Sequence, residues 1–187
     1  MNFLHKYNHI KNTRYKSFEF ALSEAKKRNH KTLVETGVAR GKIKFFFFTK
    51  INWKDGMSTM IFSDYARNVD GLLYTCDIDS KNINNAKKFC KNNDQFIKFV
   101  VNDSLNFLEN FKGPIDFLYL DSLDGQFEGA SEHQLKEIKL AITNLKKDSL
   151  VLLDDKGAKT NLSIDFMLKN NFKIINETNE QVLLTYC

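Results

Sequence analysis

The chain is poor in the residues that break, link or cross-link a fold. One proline and eight glycines among 187 residues leave little material for a flexible linker. That length holds one domain with a sizeable core and is short for two, so a single domain over 1–187 is expected. Cys76, Cys90 and Cys187 are odd in number, widely spaced and form no CxxC pair. This argues against a disulfide framework or a structural zinc site and for reduced thiols in a cytoplasmic setting. The longest apolar run, Phe45 to Phe48, falls far short of the roughly twenty residues that span a bilayer. Met1 to Tyr15 alternates polar and apolar residues, unlike a secretory signal. No membrane association is expected.

What is present is ordinary for a soluble globular protein: 42% hydrophobic and 27% charged residues. The net charge is +5, but the lysines are spread along the chain with acidic residues close behind. Charge alone therefore does not argue for a nucleic-acid partner.

Periodicity sets the order of elements. Ser17 to Arg28 places Phe18, Ala21, Leu22 and Ala25 at helical spacing within a helical extension over 1–30. Thr32 to Thr36 reads as a buried strand stopping at Gly37, and residues 42–54 stand as a Phe-rich insertion before a helix that begins near Gly56. Strands at Gly71–Ile78, Phe96–Val101, Ile115–Leu120 and Ser149–Leu153 then alternate with helices, including Ser104–Phe111, Glu132–Leu145 and Ile164–Lys169. Apolar strands alternating with helices predict an α/β fold: a doubly wound, mostly parallel, seven-stranded sheet covered on both faces. Phe172–Ile175 and Val182–Tyr186 lie too close together for a helix between them and predict a closing antiparallel hairpin.

In such a sheet ligands collect at the carboxyl ends of the strands. Those ends carry Glu35, Asp77, Asp103, Asp121 and Asp154-Asp155, a run that suits hydroxyls, amines or a cation. Capping of the following helix is the plainer reading for Asp79, and in part for Asp103 and Asp121. The turn Glu35-Thr36-Gly37-Val38-Ala39-Arg40-Gly41 is too loose to name a ligand and fails the GxGxxG spacing. Asp77 closes the second strand, where a carboxylate accepts from ribose hydroxyls.

Glu35-x-Gly37, then Asp77 within Tyr74 to Asp79, then Asn102-Asp103-Ser104, then Leu118 to Asp121, with the closing hairpin, resembles the class I (Rossmann-like) S-adenosylmethionine-dependent methyltransferases from about Thr32 onward. The resemblance implies that Glu35, Gly37 and Gly41 cradle the methionine part of S-adenosylmethionine, that Asp77 holds the ribose, and that Asp103 and Ser104 meet the adenine. Ser58, in the Asp55 to Thr59 stretch, completes the loop after the insertion. Four phenylalanines in that insertion read as packing, with a lid or a face for a homodimer partner as the sharper alternative.

Asp121 with Asp154 and Asp155 resembles the metal-dependent O-methyltransferases, including the macrolide-sugar group, and so implies Mg²⁺ held by these carboxylates. Paired Asp is equally ordinary turn chemistry, and the sequence leaves these two readings level. His133, on the helix between the acidic clusters, is a candidate general base beside Asp121, or a solvated helix-surface side chain. The function implied is methylation of a small-molecule hydroxyl. The competing readings are a catalytically silent cofactor-binding or partner-binding module, and a methyltransferase acting on protein or nucleic acid. Against a base-amino enzyme, the fourth strand ends in Asp121-Ser122-Leu123-Asp124 and not in an Asn/Asp-Pro-Pro-aromatic motif.

Overall fold

A computed structural model of the chain describes residues 1–45 and 48–187. Its main sheet has seven strands: β1 (Thr32–Thr36), β4 (Leu72–Asp77), β5 (Ile97–Val101), β6 (Ile115–Leu120), β7 (Leu145–Leu153), β8 (Phe172–Glu177) and β9 (Val182–Tyr186). They lie in the order β5-β4-β1-β6-β7-β9-β8. The first five run parallel, while β9 is antiparallel to both β7 and β8. The order reverses direction at β1, where the chain goes first to β4 and later to β6. That is where an open α/β sheet forms a crevice.

The strands are apolar on both faces because helices cover both. Leu33, Phe117, Tyr119, Leu150, Leu152 and Leu183 point to one side, onto α1 (Tyr15–Lys27) and α2 (Ser58–Val69). Their sequence neighbours Val34, Leu118, Leu120, Val151, Leu153 and Leu184 point to the other, onto α4 (Ser104–Asn110), α5 (Ala130–Ala141) and α6 (Asn161–Lys169). This is the period-two alternation of a pleated strand. A smaller cluster of Val38, Ile83 and Ala86 seats α3 (Ser80–Phe89). Helix α1 buries Phe18, Ala21, Leu22 and Ala25 and carries Lys26 and Lys27 in its last turn, favourable at the negative end of the dipole.

The largest boundary shifts from expectation fall between α5 and β7. The helix read as Glu132–Leu145 ends at Ala141 in a 3₁₀ turn over Ile142–Asn144, and β7 starts at Leu145 rather than Ser149. The strand's first turns are exposed Lys146, Lys147 and Asp148, so no apolar pattern announces them. Pairing of Leu145 with Ile115 makes them a strand. Within the insertion, β2 (Lys42–Phe45) and β3 (Phe48–Ile51) form a separate antiparallel hairpin, closed at its base by Asn52 N–H to the Gly41 carbonyl (2.9 Å). The readings of the Phe45 to Phe48 run depend on Phe46 and Phe47, which lie outside the described residues. Among the described residues no helix is long and apolar enough to cross a membrane.

The first core centres on Phe62, fully buried, with ring centroids 5.4 Å from Phe18, 5.4 Å from Phe117 and 5.2 Å from Tyr119. Truncation there leaves a cavity bounded by strands and helices that cannot collapse. Phe62→Ala is expected to lower unfolding free energy by about 3–5 kcal/mol in a urea titration.

Candidate functional site

The site is built outward from the end of β1. The Glu35 carboxylate, fully buried, accepts hydrogen bonds from the hydroxyls of Ser58 (2.6 Å), Thr59 (2.8 Å) and Thr75 (2.6 Å). The Thr59 hydroxyl in turn accepts from Ala39 N–H at 2.9 Å. One side chain therefore ties β1 to β4, to the start of α2 and, through Thr59, to the turn after β1. Burial pushes the Glu35 carboxyl up to about 7, against the pull of the three hydroxyls.

Gly37 follows with φ +82°. A Cβ there would lie 2.1 Å from the Asp121 carbonyl oxygen and 2.9 Å from Ser122 Cα, so the turn passes directly against the end of β6, where only glycine fits. Asp77 anchors the turn from the other side. Its carboxylate accepts from Val38 N–H (3.1 Å), Asp79 N–H (2.7 Å) and the Asn82 side-chain amide (3.2 and 3.3 Å). Asp79 caps α3 through Lys81 N–H, and Asp103 caps α4 through Leu105 and Asn106 N–H, as capping chemistry predicts.

Between these strand ends lies a cavity of about 140 Å³. Gly37, Asp77, Asp103, Ser104 and His133 line it together, with Asn102 and Ser122 beside them. An acid at the second strand end and a polar, partly capped turn at the third suit a nucleoside. His133 Nε2 is within hydrogen-bonding distance of the hydroxyls of Ser104 (3.0 Å) and Ser122 (3.1 Å), and lies 3.8 Å from Glu137.

Four of the expected site residues lie elsewhere than on the walls read for them. Glu35 and Ser58 bond to each other and are buried. They shape the cradle instead of lining it, because the Glu35 side chain points back under the turn. Gly41 also lies outside the cavity. A Cβ on it would meet Met60 Cε at 2.5 Å and the Phe89 ring at 2.8 Å, so its role is close packing of the hairpin base. His133 lines the smaller cavity and not the Asp121 cleft, since α5 begins directly after the turn at Gly129 and carries the ring toward Ser104.

Asp121, Asp154 and Asp155 meet in a neighbouring, more polar cleft of about 430 Å³, whose mouth carries Arg40, Lys54 and Asp124. Carboxylate oxygens of the three lie within 4.8 Å of one another. Two cations that sequence reasoning missed share this cluster. Arg14 Nε donates to both Asp154 oxygens (2.8 and 3.0 Å), and its Nη2 to Asp155 Oδ1 (3.0 Å). Lys159 Nζ, on a side chain only 2% exposed, donates to Asp121 Oδ1 (2.9 Å) and the Leu123 carbonyl (3.0 Å), with Asp155 Oδ2 at 3.3 Å. Burial and the adjacent Asp154 push the Asp121 carboxyl well above the usual range, against the pull of Lys159. Asp155 is held below it by Lys159 and the Gly125 N–H despite its own burial. The Asp155–Lys159 spacing of four was visible in the sequence. Arg14, 140 residues before Asp154, carried no such signal.

This arrangement does not fit a divalent ion. Mg²⁺ requires free carboxylate oxygens at roughly 2.0–2.1 Å. All six oxygens of the triad already accept from the chain, the last two from Tyr119 O–H (3.3 Å, Asp121) and Gly125 N–H (3.1 Å, Asp155).

Two outcomes follow. Because native Glu35 holds its proton up to about pH 7 against an ordinary 4.5, the folded state binds the extra proton in that window. Its contribution is full below about pH 4.5 and is lost as pH rises toward 7, amounting to about 3 kcal/mol. Urea midpoints at pH 5 and pH 8 should therefore converge in Glu35→Gln relative to the wild type. Gly37→Ala should unfold at lower urea and lose ligand binding at the crevice, as its Cβ would overlap the β6 backbone.

The family model described as a methyltransferase domain matches residues 53–156, more than half the chain. Similar solved structures include PaMTH1 of Podospora anserina bound to S-adenosylhomocysteine (12% identity, TM-score 0.67, covering 95% of this chain and 80% of that one). The O-methyltransferase NovP (11%, 0.66, 93% and 79%) and an rRNA methylase from Streptococcus thermophilus (11%, 0.63, 95% and 98%) are others. At such identities the likeness is one of fold. No curated protein sequence matches. With the strand order, the glycine turn against β6 and the acid at the end of β4, the matching model shows that the chain belongs to the methyltransferase domain family, class I and S-adenosylmethionine-dependent.

Proposed function

We propose that the protein transfers a methyl group from S-adenosylmethionine to a hydroxyl of a small molecule. The observation that carries this reading is the adjacency of two cavities. The smaller one, walled by Asp77 and Asp103, and the polar cleft at Asp121 adjoin along the Gly37 turn and the Asp121–Ser122 backbone. S-adenosylmethionine supplies an activated methyl on a sulfonium sulfur. Asp77 accepts from the ribose hydroxyls, Ser104 and His133 wall the adenine end, and the Gly37 turn admits the methionine part.

Asp121 faces the acceptor cleft, with a carboxyl raised by burial and by Asp154. From the wall of that cleft its carboxylate is placed to accept the acceptor's hydroxyl proton. The cleft volume is in the range of small-molecule sites, and NovP, of the same fold, is an O-methyltransferase. A second reading, an RNA acceptor, draws on Arg40 and Lys54 at the cleft mouth, on the net charge of +5 and on the fold shared with an rRNA methylase. A gel shift with structured RNA that weakens steeply with salt would favour it.

Calorimetric titration with S-adenosylhomocysteine is expected to show one binding site. Asp77→Asn and Asp77→Ala should weaken it by about 10–100-fold, the loss of charge-assisted hydrogen bonds to the ribose. No binding by the wild type at high micromolar ligand sinks the proposal.

A further inference from the structure

We infer that the acidic triad at the ends of β6 and β7 works without a metal, with Arg14 and Lys159 standing as built-in cations. This rests on the methyltransferase reading and deepens it at the acceptor end. The resemblance of Asp121, Asp154 and Asp155 to a metal-binding set ends at their identities, because this chain supplies its own positive charge to the same oxygens.

The donors match the acceptors. Three carboxylates face two fixed cations, and each of their six oxygens has a donor from the chain. Lys159 spends its three donors on Asp121, Leu123 and Asp155. Arg14 spends its fork on Asp154 and Asp155, and its remaining Nη1 on the Lys54 carbonyl (3.1 Å). An ion entering would have to displace both cations from buried positions, and an unpaired buried ammonium is costly.

Lys159 and Arg14 are thus positioning residues. They hold the Asp121 carboxylate toward the cleft and set the local charge that a divalent ion would otherwise set. The consequence for substrate class is direct. A metal site favours acceptors that chelate through two neighbouring oxygens, whereas this site asks for one hydroxyl placed beside Asp121, with no vicinal partner needed.

The test is a Mn²⁺ titration of the full chain, saturated with S-adenosylhomocysteine, following free Mn²⁺ by electron paramagnetic resonance. In the wild type, free Mn²⁺ should track total Mn²⁺ into the millimolar range. Uptake that persists in Asp154→Asn lies away from the triad and agrees with the inference. One equivalent taken up by the wild type and lost in Asp154→Asn overturns it. Lys159→Met, with one cation removed, should gain Mn²⁺ uptake that Lys159→Arg does not show. A folded Lys159→Met that still takes up none removes Lys159 from the role. The wild-type titration decides the matter even if that variant fails to fold. Absence of S-adenosylhomocysteine binding in the same sample would count against the methyltransferase reading instead, so the two failures are distinguishable.

Discussion

The buried Glu35 carboxylate is the constraint on which the rest of the crevice depends. Removing a carboxylate from water costs several kcal/mol, and about 1.5–3 kcal/mol is returned by each hydrogen bond to it. Ser58, Thr59 and Thr75 provide three. The balance is close enough that the group takes up a proton near neutrality. What the arrangement secures is geometry. β1, β4 and α2 meet at one point, and Thr59 passes that position on to Ala39 in the turn. With the turn so held, Gly37 lies against the β6 backbone, and the two cavities become neighbours.

The acids at the strand ends look alike in sequence and do different work. Asp79 and Asp103 satisfy the first amides of helices. Asp77 holds the glycine turn to β4 while lining the nucleoside cavity. Asp121, Asp154 and Asp155 are absorbed in a cluster with Arg14 and Lys159. The division follows burial and the nearest donor. An exposed Asp next to free helix amides caps them, whereas one facing a buried ammonium pairs with it.

Arg14 also gives the N-terminal segment a part in the site. The segment is seated by Tyr7 O–H on Asp64 (2.8 Å) and by the Asn12 side-chain amide on the carbonyls of Tyr7 and Gly56. Its arginine then crosses the cleft to the ends of β7. Fold and acceptor cleft are coupled through contacts that span the length of the chain.

The sequence by itself determined the class of fold. Ile115–Leu120, apolar throughout, had to be buried on both faces, and two short β-branched runs after the last helix had to pair as a hairpin. It also located the turn at Gly37 and the acids at the strand ends, because strand alternation and helix spacing are local patterns. It did not determine what those acids touch. Glu35 and Ser58 read as part of the cofactor cradle, and the fold turns them toward each other beneath it. His133 read as a candidate base or a helix-surface side chain, and α5 places its ring beside Ser104. The triad read equally as a metal site or as turn chemistry, and neither reading contained Arg14, 140 residues away. Periodicity is written in neighbouring residues, whereas a carboxylate's partner is chosen by whichever donor tertiary packing brings within 3 Å. Only the folded chain makes that choice.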